Sequence, residues 1–128
     1  HRFALWDMVM LKDNHNDYAG GITNGVTRTK EYLTANDKNL KIEVETRNLE
    51  EVKEALNSGL VYRIMFDNFT PALMTEAVKL VNGLCETEAS GGITRETIRG
   101  YAETGVDFIS VGALTHSVKS LDLSLKEY

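Results

Sequence analysis

With a single cysteine among its 128 residues, the chain cannot form an internal disulfide. That usage suits a reducing, cytoplasmic compartment, and Cys85, next to the apolar Leu84, reads as a small buried strand residue rather than a nucleophile. No apolar run approaches the roughly 18 residues of a membrane span, so no membrane partner is expected. Basic residues are not in excess: 14 Lys and Arg face 19 Asp and Glu, for a formal net charge of −5. A nucleic-acid binder shows the opposite balance. An anionic small molecule remains open, because a few local cations and backbone N–H groups can hold one. The histidines His1, His15 and His116 are scattered, with no H-E-x-x-H pattern and no zinc spacing. No Ser-His-Asp or Cys-His arrangement is present. The amino end lacks the layout of a secretory signal. It also lacks an initiator methionine, so a fragment of a longer protein is expected.

What the chain does have is a recurring beat. Short β-rich runs end in polar or glycine-rich punctuation at Lys12-Asp13-Asn14-His15, Glu45, Asp67-Asn68, Glu88-Ala89-Ser90-Gly91-Gly92 and Ser110-Val111-Gly112. After a first gap of 33 residues, Glu45, Asp67, Glu88 and Ser110 follow at intervals of 22, 21 and 22. Such an interval accommodates one strand, one helix and two short loops. Strands are predicted at 8–11, 40–46, 61–66, 84–88 and 107–111. Helices are predicted from Gly20 to Ala35, from Asn48 to about Asn57, after Thr70 with Pro71 at its first position, and from Thr94 to Thr104. A short helix from Thr115 and a closing strand or tail at Leu121–Leu125 complete the reading. Strand–helix alternation implies α/β architecture with a parallel sheet and crossovers. Five strands are too few for a closed eight-stranded barrel, so part of a (β/α) barrel is expected.

In such folds the carboxyl ends of the strands gather on one face, where chemistry is built. Ser90-Gly91-Gly92 and Gly112-Ala113 are glycine-containing turns on consecutive βα units, suited to a phosphate or merely to tight turning. Glu45 and Asp67 stand at the ends of neighbouring strands, where hard carboxylate oxygens suit Mg2+, directly or through water, or sugar hydroxyls. Each alone could be a solvated or capping acid. Glu43 and Glu45 alternate with Ile42 and Val44, which fits a surface strand as well as a barrel interior. Lys12, directly after an apolar strand, and the pair His1-Arg2 form a cationic group for a substrate carboxylate or phosphate. A solvated lysine and a loose terminus are the plain alternatives.

At these residues the sequence resembles the quinolinate phosphoribosyltransferase family, in the C-terminal catalytic part of its members. The likeness is carried by His1-Arg2, Leu11-Lys12-Asp13-Asn14-His15, Glu43-Val44-Glu45, Met65-Phe66-Asp67-Asn68-Phe69, Glu88-Ala89-Ser90-Gly91-Gly92-Ile93 and the run from Tyr101 to Ser117. The resemblance implies an α/β-barrel catalytic domain portion over residues 1–128, with the family's N-terminal domain outside the chain. It implies a homodimer or higher oligomer, and transfer of phosphoribosyl from phosphoribosyl pyrophosphate to quinolinate with Mg2+. The products are nicotinate mononucleotide, pyrophosphate and CO2, in NAD biosynthesis. His1, Arg2 and Lys12 would then hold the quinolinate carboxylates. Glu45 and Asp67 would face the ribose and the metal, with Lys12, Glu45 and Asp67 as the catalytic set. Ser90, Gly91, Gly92 and Gly112 would cradle the 5′-phosphate, with His116 close by. Part of each site would come from a partner subunit, and the 128 residues alone would be inactive. Two other readings stand beside it: a related pyrophosphorylase-like enzyme with another acceptor, and a noncatalytic phosphate-binding module.

Overall fold

A computed structural model describes residues 6–115. Five parallel strands form one sheet: β1 (Met8–Leu11), β2 (Lys41–Thr46), β3 (Arg63–Asp67), β4 (Glu86–Ser90) and β5 (Phe108–Ile109). They lie side by side in chain order. Between them run α1 (Asp13–Ala19), α2 (Ile22–Ala35), α3 (Leu49–Ser58), α4 (Pro71–Val81) and α5 (Ile98–Ala102), and a 3₁₀ turn, Gly112–Leu114, follows β5. Strands added in sequence by crossovers of one hand put all the helices on the same face. A doubly wound sheet would need a reversal of strand order. The expected fold class is therefore what forms: part of an α/β barrel, with flanking helices outside.

The register assigns the two faces. Glu43 is level with Arg63, and Arg63 with Glu86; Val44 is level with Ile64, and Phe66 with Ala89. Because successive side chains alternate, Ile42, Val44, Ile64, Phe66 and Ala89 meet the helices. Glu43, Glu45, Arg63, Met65, Asp67, Glu86 and Glu88 share the inner face. Val44, Val52, Ala55, Ile64, Phe66 and Met74 are fully buried where sheet and helices meet. Each large apolar side chain there contributes about 1.5–3 kcal/mol. The Phe66 and Phe69 rings stack with centroids 5.2 Å apart. The two readings of β2 are now resolved: both its faces are buried, with Glu43 at 0% and Glu45 at 8% exposure.

The helix ends follow from local chemistry. Asn48 caps α3, its Oδ1 accepting from the Glu51 N–H at 2.9 Å, and Gly59 closes that helix in a left-handed conformation. Thr70 Oγ1 accepts from the Leu73 N–H at 3.3 Å to cap α4, where Pro71 occupies the first position.

Five elements differ from the sequence reading. Asp13-Asn14-His15 does not merely stop β1; it begins α1, a helix the sequence reading lacks, which ends at Gly20. Its polar residues are poor helix formers, and tertiary contact compensates: buried Asn16 donates from Nδ2 to the Glu45 carbonyl at 3.5 Å. Strand β3 begins and ends later than expected, and β4 begins two residues later, because Leu84, for all its apolarity, is 75% exposed. Helix α5 spans five residues rather than 94–104, preceded by a turn in which Thr97 Oγ1 accepts from the Thr94 N–H. Strand β5 is two residues long. The helix read from Thr115 and the run Leu121–Leu125 lie outside the described residues, apart from Thr115 itself.

Candidate active site at the carboxyl rim of the sheet

All five strands point the same way, so their carboxyl ends line one rim. Lys12 follows β1, Glu45 stands near the end of β2, and Asp67 and Ser90 end β3 and β4. Gly91 and Gly92 continue from β4, and Gly112 opens the turn after β5. The predicted residues Lys12, Glu45, Asp67, Ser90, Gly91, Gly92 and Gly112 are thus gathered along a single edge. His1, Arg2 and His116 lie outside the described residues.

Glu45 is held between opposing influences. Burial, the largest, raises its pKa above the usual carboxylate range, and the nearby charge of Asp67 pushes the same way. The Asp13 N–H, donating to Glu45 Oε1 at 3.3 Å, and the Lys12 charge act against that rise. Lys12 itself is exposed and serves as the N-cap residue of α1, where its N–H donates to His15 Nδ1 at 3.0 Å. Asp67 is level with Ser90 and sits one inner-face position beyond Met65, the partner of Glu45. A buried carboxylate that feels a second carboxylate's charge, as Glu45 feels that of Asp67, is relaxed by a cation.

The loop after β4 is gripped from its neighbour. Asn68, in a left-handed conformation (φ 56°), donates its N–H to the Ser90 carbonyl at 2.9 Å. Its Nδ2 donates to Asp67 Oδ2 at 2.9 Å. Gly91 has φ of +93°, and a Cβ there would lie 2.6 Å from Asn68 Cγ and 2.7 Å from its backbone nitrogen. Glycine is therefore required at Gly91 twice over, for its conformation and for the close approach. The turn starting at Gly112 is closed by the Leu114 N–H to the Val111 carbonyl, 3.1 Å. As at any helix start, its first N–H groups have no use within the turn itself.

Beneath the rim is a polar layer that the sequence reading missed. Arg63, 7% exposed, reaches Glu86 Oε2 from Nε (3.0 Å) and Nη2 (2.7 Å), and Glu88 Oε2 from Nη1 (3.1 Å). Burial pushes the Glu86 pKa up, but the Tyr62 hydroxyl and Arg63 outweigh it and hold the group below its ordinary value. The fully buried Glu88 also accepts from Ser110 Oγ at 2.6 Å. The signal was a charge inside an apolar run, Tyr62-Arg63-Ile64-Met65, on the same alternation as Asp67. Arg47 was likewise passed over. Its guanidinium forks onto Asp17 at 2.9 and 2.8 Å while Nε meets Glu51 at 2.9 Å, tying α1 to α3 beside Glu45. Glu51 also accepts from the Arg47 N–H at 2.6 Å.

Among the described residues no group of three or more His, Cys, Asp or Glu could hold a metal ion. Two carboxylates at adjacent strand ends, Glu45 and Asp67, are a donor set that could serve only an ion that keeps most of its coordination in water or other oxygens, as Mg2+ does. Nor is any helix among the described residues long and apolar enough to cross a membrane.

Comparison with known proteins agrees with this geometry. Nicotinate-nucleotide pyrophosphorylase [carboxylating] of Arabidopsis thaliana, described as chloroplastic, is 51% identical over 98% of this chain and 40% of its own length. A probable enzyme of the same name from Bacillus subtilis is 42% identical over 98% of this chain and 42% of its own. The solved structure of the nicotinate-nucleotide pyrophosphorylase from Francisella tularensis superposes with a TM-score of 0.83 at 41% identity. It covers 97% of this chain and 42% of that one. The chain thus spans about two-fifths of the length of the relatives it matches. The model of the quinolinate phosphoribosyl transferase C-terminal domain matches residues 1–126, and with the rim geometry above, the chain belongs to that family.

Proposed function

We propose that this chain carries the ribose- and phosphate-binding part of an enzyme that moves phosphoribosyl from phosphoribosyl pyrophosphate to quinolinate. The products are nicotinate mononucleotide, pyrophosphate and CO2, a step of NAD biosynthesis. The observation that carries this reading is the order along the rim: a lysine, two carboxylates on adjacent strands, then the Ser90-Gly91-Gly92 loop. That order matches a ligand with an anionic acceptor at one end and a phosphate at the other. The names of the relatives support the same chemistry.

Lys12, with His1 and Arg2, holds the acceptor's carboxylates. Backbone N–H groups of the Ser90-Gly91-Gly92 loop and the Gly112 turn take the 5′-phosphate, with His116 nearby. Glu45 and Asp67 accept from the ribose hydroxyls. As pyrophosphate leaves, positive charge develops on the anomeric carbon, and these carboxylates stabilise it more than the ground state. Once glycosylated, the ring nitrogen is cationic and serves as electron sink for loss of CO2, so the protein chiefly positions the reactants. Glu45 and Asp67 would hold Mg2+, directly or through water, which offsets charge on the departing pyrophosphate when bound. The intact enzyme is a homodimer or higher oligomer whose partner subunit completes the site, and the 128 residues alone are inactive. Its partners are the two substrates rather than nucleic acid or membrane. A cytoplasmic setting rests on the single, unpaired Cys85.

The test is CO2 release from carboxyl-labelled quinolinate by the intact enzyme carrying Glu45→Ala or Asp67→Ala. A loss of about 10²-fold or more in kcat/KM, of order 3 kcal/mol in barrier, is expected for each. Turnover unchanged in both variants would exclude the catalytic role and leave a phosphate-binding module. An intact enzyme that releases no CO2 from quinolinate but turns over another acid would change the acceptor.

A further inference from the structure

The strands that carry the two glycine loops are poorly tied by backbone alone. Between β4 and β5 the register runs over two residue pairs, Glu88 with Phe108 and Ala89 with Ile109. The Ser110 N–H adds a bond to the Ala89 carbonyl at 2.9 Å. Side chains on the inner face extend this short seam. Ser110 Oγ donates to Glu88 Oε1 at 2.6 Å, a hydrogen bond to a carboxylate and so among the stronger kinds. Arg63 reaches from β3 to the other oxygen of Glu88, and its guanidinium lies 4.1 Å from the centroid of the Phe108 ring on β5. One cation thus touches both strands that bear glycine loops.

The spacing gives this contact its leverage. Glu88, within β4, precedes Ser90 by two residues, and Ser110, directly after β5, precedes Gly112 by two. A change in the Glu88–Ser110 separation therefore displaces the roots of both loops together. Lys12 and Glu45, on the far side of the sheet, are not rooted in this contact.

We propose that Arg63, Glu88 and Ser110 form a positioning strut that fixes the distance between the Ser90-Gly91-Gly92 loop and the Gly112 turn, and so sets affinity for a phosphate monoester. The assignment rests on the phosphate reading of those loops. None of the three touches substrate; they act through the loops they brace.

The experiment uses the intact enzyme, with calorimetric titration of ribose 5-phosphate and steady-state kinetics. Ser110→Ala is expected to weaken ribose 5-phosphate about tenfold, because the two loop roots are no longer held at one spacing. KM for quinolinate and kcat stay within about twofold. Ser110→Thr, which keeps the hydroxyl, restores binding. Glu88→Gln keeps the shape of the side chain while removing its charge, and is expected to weaken the same ligand selectively. It carries the comparison if Ser110→Ala does not fold. Unchanged binding in Ser110→Ala overturns the strut while leaving the phosphate site intact. A loss shared equally by both substrates also overturns it, since a general structural defect has no preference for the phosphate end. Wild-type enzyme that does not bind ribose 5-phosphate overturns the phosphate reading and the strut together.

Discussion

Asn68 and Gly91 occupy each other's space: the Asn68 N–H donates to the carbonyl just before Gly91, and any Cβ on Gly91 would lie within 2.7 Å of the Asn68 backbone nitrogen. Gly92, by contrast, has φ of +59° and nothing within 4 Å of its missing Cβ. The two glycines should therefore respond differently to the same substitution. Gly92→Ala is expected to cost about 1 kcal/mol, the left-handed penalty alone. Gly91→Ala should cost about 2–4 kcal/mol and detach the loop from β3. Urea unfolding of the two variants in the intact enzyme, with phosphoribosyl pyrophosphate binding beside it, checks the order. Equal effects would mean that the Asn68 contact is unimportant.

Glu43 gives a pH prediction. Burial, then the charge of the neighbouring Glu88 and a side-chain hydrogen bond with it, raise its pKa from 4.5 to about 7. The folded state therefore holds this proton more tightly than the unfolded chain does. Stability contributed by the protonated form is present at low pH and is lost as pH rises from about 4.5 through about 7. Glu43→Gln removes the liability. Its advantage over wild type should be small near about pH 4 and grow to about 2–3 kcal/mol by about pH 8. Denaturant melts at both ends of that range decide it, and a difference independent of pH would contradict the assignment.

Arg63 is the buried counterion of Glu86 and Glu88. Arg63→Met leaves the fully buried Glu88 without that cation and should destabilise the protein by about 3–5 kcal/mol. Adding Glu88→Gln to it should recover part of the loss, because the uncompensated charge is then gone. Thermal melts of the single and double variants measure the recovery; strict additivity would show that the two groups are not coupled.

The helix caps should behave as independent, local contributions. Asn48→Ala and Thr70→Ala each remove an acceptor for one N–H in the first turn of α3 and α4. Each is expected to cost about 1 kcal/mol, and the pair to add, since they sit on different helices. A double-variant cycle tests this.

Much of this was legible in the sequence, and the residues show why. Strand-and-loop periodicity brought Lys12, Glu45, Asp67 and Ser90 to one rim before any coordinates, because parallel strands joined by crossovers leave little freedom about where their ends fall. Periodicity could not disclose α1, since Asp13-Asn14-His15 has the composition of a turn and folds as a helix through Asn16's contact with β2. It also set β4 two residues early, because an apolar residue such as Leu84 carries no mark of being outside. What Arg63 and Ser110 brace is not legible for a different reason. A side chain that braces another is identified by what lies opposite it, and the partners were strands away.

The simple order of the sheet has a consequence for how the protein comes into being. Each strand pairs with the one made just before it, so during synthesis every new strand–helix unit finds its docking partner already waiting, and few distant segments must be brought together. The rim is then assembled vectorially: Lys12 with β1, Glu45 and Asp67 with β2 and β3, the Ser90-Gly91-Gly92 loop and the Gly112 turn last. A ribosome that stalls midway leaves the last completed strand as an open template for whatever chain arrives next.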